Sequence, residues 1–107
     1  MSEPPSRTNN TPPGVALFVT GAAPRSQRAR YHLRHALDQM GADPDGFHEI
    51  DLIEQPQQAF EHGILATPAL LHQGGAQPPR KLYGDLSDEA RLRDFLTGLG
   101  KRAEPVA

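Results

Sequence analysis

The segment from Val15 to Thr20 is an apolar run enclosed between Gly14 and Gly21. A strand with one wet face alternates apolar and polar residues, whereas a strand covered on both faces is apolar along its whole length. The run therefore predicts a central strand with packing on both sides, as in a parallel sheet.

A helix and a second strand are predicted to follow this run. Pro24 suits the first helical position, and Gly41 suits the helix exit. Between them, apolar residues recur at steps of three and four and form one stripe. The stripe consists of Ala29, Leu33, Ala36, Leu37 and Met40. The segment 47–53 reads as a strand, since Ile50 and Leu52 share a face, and strand–helix–strand implies a right-handed parallel crossover.

The next segments predict a short helix and a hairpin. Pro56 fits the first turn of a helix, and Gly63 fits its exit. Residues 64–71 lead into a third strand, 73–77 form a flexible connection, and 80–83 form a fourth strand. The short link between the last two strands favours an antiparallel pair.

A final helix closes the domain. Ser87 is a suitable N-cap, and Asp88 and Glu89 place negative charge at the helix N-terminus. Gly98 and Gly100 are expected to end the helix. Its buried stripe is predicted to contain Leu92, Phe95, Leu96 and Leu99. The resulting order is βαβαββα, an α/β fold with a sheet of mixed direction.

A chain of 107 residues allows one domain with short extensions. Residues 1–13 hold four prolines among polar residues, which predicts a disordered arm. The domain is expected over 14–100, followed by a polar tail at 101–107.

Composition excludes several function classes. The chain has no cysteine, so a disulfide scaffold, a thiolate nucleophile and a CxxC redox centre are ruled out. The net charge of -2 gives no global reason to bind nucleic acid or acidic membranes. No apolar run suggests a membrane span, and the polar N-terminus does not resemble a signal peptide, so a cytoplasmic protein is expected.

Charged and imidazole side chains crowd the first helix. His32 and His35 could share a face, but no further ligand joins them in sequence, so no metal or other cofactor is predicted. Four arginines also lie on this helix: Arg25, Arg28, Arg30 and Arg34. For Arg30 and Arg34 we favour a solvated helix surface, and for Glu49 and Asp51 the exposed face of the second strand.

The element order, with Thr67-Pro68 leading into the third strand, resembles the thioredoxin fold. In that fold this proline is cis and faces the helix that carries CxxC. The equivalent helix start here, residues 21–26, has no thiol. The resemblance therefore implies the architecture without its usual redox chemistry.

A narrower resemblance, over residues 15–99, is to the KaiB family. The motifs that carry it are Leu17-Phe-Val-Thr-Gly-Ala-Ala-Pro-Arg-Ser-Gln-Arg-Ala29, Ile50-Asp-Leu with Pro56, Ile64-Leu-Ala-Thr-Pro68, Pro78-Pro79-Arg80-Lys81 and Leu82-Tyr-Gly-Asp-Leu-Ser87. The resemblance implies a non-enzymatic protein that binds the KaiC ATPase ring and modulates its phosphorylation cycle in a circadian or simpler timing circuit.

The resemblance also implies two folds. One is thioredoxin-like and binds KaiC; the other is a ground state, a dimer or tetramer, in which the C-terminal half is rearranged. By position, the switching residues are Pro68, Pro78, Pro79 and Gly84. X-Pro bonds have a cis/trans gap of only roughly 0.5–1 kcal/mol, which suits slow switching. The alternative is that Pro68 is a locked cis-proline and that the proline pair stiffens a loop. The last helix has Phe95 in its interior and no glycine before Gly98, so its helical propensity is uninterrupted, which favours the thioredoxin-like form.

Four residues are implied in partner binding. Arg28 matches a family arginine and could dock onto an acidic partner. Arg80 and Lys81 match a basic pair and should point to opposite faces of a strand, so one of them would contact a partner; the alternative is charge that protects an edge strand. Asp85 belongs to the turn before the last helix, where ordinary turn chemistry also explains it.

Two other functions remain open. A redox-inactive thioredoxin-like adaptor in stress or histidine-kinase signalling is the first alternative. An enzyme that binds glutathione is the second, although no residue stands out as its activator.

Overall fold

The computed structural model describes residues 14–74 and 77–100. The elements run β1 (Val15–Val19), α1 (Pro24–Gln39), β2 (His48–Asp51), α2 (Gln57–His62), β3 (Ala69–Gly74), β4 (Gln77–Tyr83) and α3 (Glu89–Gly100). The predicted order βαβαββα is confirmed. The arm and tail predicted at 1–13 and 101–107 lie outside the described residues. Within the described ranges, every helix is too short or too polar to cross a membrane.

The four strands form one mixed sheet in the order β2-β1-β3-β4. β1 pairs parallel with β2, with Ala16 opposite His48. β1 pairs antiparallel with β3, and β3 with β4. β1 and β3 are therefore central, and β2 and β4 are the edges.

β1 is buried along its whole length, as its apolar run predicts. Successive side chains of a strand point to opposite faces, so β1 divides between two cores. Val15, Leu17 and Val19 enter the larger core. Ala16 and Phe18 enter the smaller one. This strand ties the two layers of the domain together.

The larger core lies between the sheet and the two long helices. α1 contributes its predicted stripe, with Leu33 and Leu37 fully buried. α3 contributes Leu92, Phe95 and Leu96. Burying a side chain of this size contributes about 1.5–3 kcal/mol of hydrophobic free energy, so this face supplies most of the packing.

Among the described helices, only the short α2 packs against the smaller core, through Ala59. Ile64, Ala69 and Leu71 join the β1 side chains there. α2 buries none of its own residues, although the ring of His62 lies 5.6 Å from that of Phe18. The two faces of the sheet are therefore unequally covered.

The second strand is shorter than predicted. It ends at Asp51, and Leu52 and Ile53 lie in a turn. The carboxylate of Asp51 accepts the N–H of Ile53 at 3.0 Å, a local bond that bends the chain away from the sheet. The expected strand over 47–53 is wrong at this end.

The fourth strand begins earlier than predicted, at Gln77 rather than Arg80. Pro78 and Pro79 are therefore part of β4. An edge strand accepts proline because its outer N–H groups have no partner in the ladder. The β3–β4 register also shifts between His72 and Gly74.

The start and end of α3 also differ from the prediction. Asp88, not Ser87, caps the helix, since its Oδ1 accepts the N–H of Arg91 at 3.2 Å. The helix continues through Gly98 and ends at Gly100. A glycine in a helix costs about 1 kcal/mol relative to alanine, which the buried stripe outweighs. The side chain of Leu99 lies outside the described residues.

Candidate functional site

Four chain segments meet at one end of the sheet, which we call the pole. It comprises residues 20–24, 51–53, 65–68 and 83–85. Because β1 and β2 are parallel, their C-terminal ends meet there. β3 runs the other way and begins there, and β4 ends there.

The Thr67-Pro68 segment faces the end of β1. The Thr67–Pro68 bond is cis, as the thioredoxin resemblance implies. The hydroxyls of Thr20 and Thr67 lie 2.6 Å apart and share a hydrogen bond. The carbonyl of Pro68 accepts the N–H of Gly84 at 3.0 Å. The segment therefore links β1 to the turn after β4.

The carboxylate of Asp51 organises the other side of the pole. Its Oδ1 accepts the N–H of Gly21 at 3.0 Å, in addition to that of Ile53. These bonds, with the charge of Arg30 nearby, hold the pKa of Asp51 below its usual value. Asp51 fixes the β1–α1 turn, a role that the exposed-face interpretation missed.

Arg28 and Asp85, both predicted partner-binding residues, lie together. Arg28 Nε is 3.2 Å from Asp85 Oδ2. Asp85 Oδ1 accepts the N–H of Ser87 at 3.1 Å. Hydrogen bonds from Ser87, then from Arg28, lower the pKa of Asp85 to about 2. The side chain of Arg28 remains 54% exposed, so much of the guanidinium faces solvent.

The turn that carries Asp85 has two residues in left-handed backbone conformations. Gly84 has φ +115°, and Leu86 has φ +64°. Glycine tolerates such angles, but leucine rarely adopts them, and the cost is of order 1–3 kcal/mol. Leu86 is also buried in the larger core. The left-handed conformation of Leu86 was not predicted, because nothing in its residue type signals a positive φ.

Arg80 and Lys81 point to opposite faces of β4, as predicted. The Arg80 guanidinium lies 5.1 Å from the centre of the Phe95 ring, on the α3 side. Lys81 Nζ approaches Gly63 on the α2 side. Neither contacts the Arg28–Asp85 pair, so the structure does not gather the four predicted residues into one site. Pro78 and Pro79 lie at the far end of β4 from the pole.

The remaining ion pairs of α1 are structural. Arg30 contacts Glu49 on β2 at 2.9 Å, and this partner raises the pKa of Arg30. Arg34 contacts Asp45 at 2.6 Å. The helix surface that was expected to be merely solvated therefore carries two ion pairs, which join α1 to the β2 side.

Three large hydrophobic side chains are exposed at the pole. Leu65 is 88%, Ile53 is 64% and Tyr83 is 41% exposed. Leu65 and Ile53 lie in segments that were predicted to lead into or along strands, so their exposure was not foreseen. Exposed hydrophobic side chains grouped at one end of a domain have the chemistry of a protein-docking surface.

His32 and His35 contact a tyrosine rather than a third metal ligand. Both rings pack against Tyr31. Over residues 14–74 and 77–100, no three histidine or acidic side chains come together in a way that could hold a metal ion.

Solved structures with a similar fold include thioredoxins and the N-terminal domain of SasA. The chain matches mitochondrial thioredoxin 3 of Saccharomyces cerevisiae with a TM-score of 0.64 at 20% identity, covering 79% of this chain and 76% of that one. It matches the N-terminal domain of Synechococcus elongatus SasA with a TM-score of 0.63 at 22% identity, covering 100% of both chains. The thioredoxin-like fold is confirmed.

Curated relatives are more specific. The circadian clock oscillator protein KaiB of a Synechococcus species is 41% identical over 78 residues, which is 73% of this chain and 70% of that protein. The KaiB of Nostoc punctiforme is also 41% identical, covering 73% of this chain and 74% of that one. The family model described as the KaiB domain matches residues 16–97, which includes every segment of the pole. The chain therefore belongs to the KaiB family.

Proposed function

We propose that this protein is a KaiB-type timing protein that binds a KaiC-type ATPase ring and modulates its phosphorylation cycle. Membership of a family of clock oscillator proteins is the observation that carries this proposal. It acts in the cytoplasm, by binding rather than by catalysis.

The pole is the proposed docking surface for the ring. Leu65 and Ile53 offer apolar area, and Arg28, which pairs with Asp85 of the pole, offers charge and hydrogen-bond donors. Arginine and large apolar side chains in such a setting often dominate binding energy. Of the other predicted binding residues, Lys81 extends this surface on the α2 side, and Arg80 lies apart from it beside α3.

Non-enzymatic action is supported by the pairing of the polar groups at the pole. The hydroxyls of Thr20 and Thr67 hydrogen-bond to each other. The carboxylate of Asp51 holds two backbone N–H groups. Each of these groups supports the backbone, which suits a rigid binding surface.

Fold switching of the C-terminal half is the second part of the proposal. The turn 84–86 supports it, because the left-handed backbone of Leu86 is strained, and burial of its side chain and the Arg28–Asp85 bond would offset that strain. Release of the Arg28–Asp85 pair would favour another conformation of this turn. Pro68 precedes β3, and Pro78 and Pro79 lie within β4. The rearranged form would self-associate as a dimer or tetramer.

Size-exclusion chromatography with the host's KaiC-type ATPase tests ring binding. The protein should co-migrate with the ring in at least one nucleotide state. Arg28→Ala should weaken the association, whereas Arg34→Ala, which removes the same charge from the other side of α1, should not. Absence of association in ATP and in ADP would refute the proposal.

The second candidate is a thioredoxin-like adaptor in signalling. The match to the SasA domain over the full length of both chains favours it as a fold precedent. A stable complex with a sensor kinase of the host, formed without any ring association, would favour the adaptor.

A further inference from the structure

The outward face of α1 forms a surface of its own, which we call the α1 crest. It consists of Arg28, Tyr31, His32 and His35. Tyr31 is 62% exposed, and His35 is also exposed. The buried stripe of α1 lies on the opposite side of the helix, so the crest faces away from the sheet.

The rings of the crest are pre-arranged. Tyr31 and His35 stack with centroids 5.9 Å apart and an interplanar angle of 11°. His32 meets Tyr31 edge-on at 5.3 Å. Residues four apart are neighbours on a helix, so the backbone itself holds this stack. An aromatic surface that is already ordered loses little side-chain entropy when a partner binds.

The charge around these rings is predominantly basic. α1 carries four arginines, two histidines and a single carboxylate, that of Asp38. Arg30 and Arg34 turn away to Glu49 and Asp45 on the β2 side. The crest therefore keeps its basic character at Arg28.

Arg28 retains binding capacity despite its pair with Asp85. The bond to Asp85 uses Nε, and a guanidinium has five N–H donors. The side chain is 54% exposed. Pro24, Gln27 and Arg28 line a shallow depression with Tyr31 and His32, so a bound group would meet charge and ring together.

A groove between the crest and α3 bounds this surface. His32 and His35 line it, with Glu89 and Arg93 from α3. The charges of these two α3 residues offset each other, and Arg93 also bonds the side chain of Gln39 at 3.2 Å. The groove adds no net charge that would oppose an acidic partner.

We infer that the α1 crest binds an acidic segment of a partner protein. Carboxylates of that segment would pair with the free N–H groups of Arg28, and an apolar side chain beside them would lie on the Tyr31–His35 stack. Attraction between the carboxylates and Arg28 would orient the acidic segment, and the aromatic rings would supply apolar contact area. The inference goes beyond ring binding, which was assigned to the pole, and the two surfaces adjoin at Pro24 and Arg28.

NMR titration of the full chain with a synthetic peptide tests the inference. The probe is a peptide of repeated Glu-Glu-Leu-Asp, and its control has the same length with Lys in place of every Glu and Asp. The acidic peptide should shift the backbone amide signals of residues 28–35, and the basic peptide should not. Tyr31→Ala and Arg28→Gln should each weaken binding by about five-fold or more.

Arg34→Gln is the matched control, because it removes the same charge from an exposed ion pair on the same helix. Its affinity for the acidic peptide should stay within about two-fold of the unmodified chain. Three results would overturn the inference: no binding, signal shifts centred on Arg80 and Lys81, or equal losses for Arg28→Gln and Arg34→Gln. Ring association is measured separately, so neither proposal depends on the outcome of the other.

Discussion

The unit formed by β1, α1 and β2 and the unit formed by β4, its following turn and α3 are held in different ways. All five residues of β1 are buried. In β4, residues 78–81 are exposed, and Leu82 is half-buried. The first unit contains a central strand of the sheet, β1, whereas the strand of the second unit, β4, lies at an edge.

The polar contacts of the two units also differ. Arg30–Glu49 and Arg34–Asp45 tie α1 to the β2 side within the first unit. The second unit is tied to α1 through Arg28–Asp85 and the Arg93–Gln39 bond. It is also attached by the pairing of β4 with β3 and by the apolar stripe of α3, and its turn contains the left-handed Leu86.

This contrast indicates where a conformational change would be confined. The second unit is expected to open or rearrange at a lower free energy than the first, because its strand lies at an edge of the sheet and its turn is strained. Four substitutions or conditions test the contrast.

The largest effect is expected from truncating a buried side chain through which α3 packs against the larger core. Leu92 is 1% exposed, and Leu92→Ala should lower the free energy of unfolding by about 2–5 kcal/mol. Hydrogen exchange of the variant should show lost protection in β4 and α3, with α1 still protected. Leu33→Ala, at a fully buried site of α1, is the control and should reduce protection in both units. Equal losses in both units for Leu92→Ala would break the contrast.

Gly84→Ala tests the turn through its backbone. At φ +115° an alanine is strained, although a Cβ would meet nothing within 4 Å. The expected loss in the free energy of unfolding is about 1–3 kcal/mol, measured by urea denaturation. A loss below about 0.5 kcal/mol would show that the turn adapts freely.

Leu86 allows a sharper test of strain. Leu86→Ala and Leu86→Gly both lose the buried side chain, but only glycine suits φ +64°. Leu86→Gly should therefore be more stable than Leu86→Ala by about 1 kcal/mol. At Thr97, exposed within α3, the alanine variant should instead exceed the glycine variant by about 1 kcal/mol. The same order of stability at both positions would show that the backbone of Leu86 is not strained.

The smallest effect concerns the ion pair. The pKa of Asp85 is lowered to about 2, so the fold favours its ionised form. Its contribution to stability is therefore present above about pH 4 and lost as the pH falls towards 2. The advantage of the unmodified chain over Asp85→Asn, below about 1 kcal/mol, should shrink across this window in acid titrations of unfolding. A constant difference from pH 5 to pH 2 would show that Ser87 and Arg28 do not stabilise the ionised carboxylate of Asp85.

The first unit was largely predictable from sequence because its patterns are local. The run at β1 and the stripe of α1 report burial directly. The boundary errors have local causes as well. Asp51 ends β2 through its own side chain, and an edge position admits Pro78 and Pro79 into β4.

The candidate site was less predictable because it depends on distant pairings. Arg28 was singled out, but its partner lies 57 positions away. The acidic residues that pair with Arg30 and Arg34 lie in other segments, and nothing in the sequence around them identifies their partners. The exposure of Leu65 and the positive φ of Leu86 arise from tertiary packing and not from residue type.

Native-state hydrogen exchange at increasing urea concentration tests the central contrast most directly. The amides of β4 and α3 should exchange through a partial opening, at a lower free energy than the amides of β1 and α1, which should require global unfolding. A single free energy shared by all four elements would contradict a C-terminal unit that moves on its own.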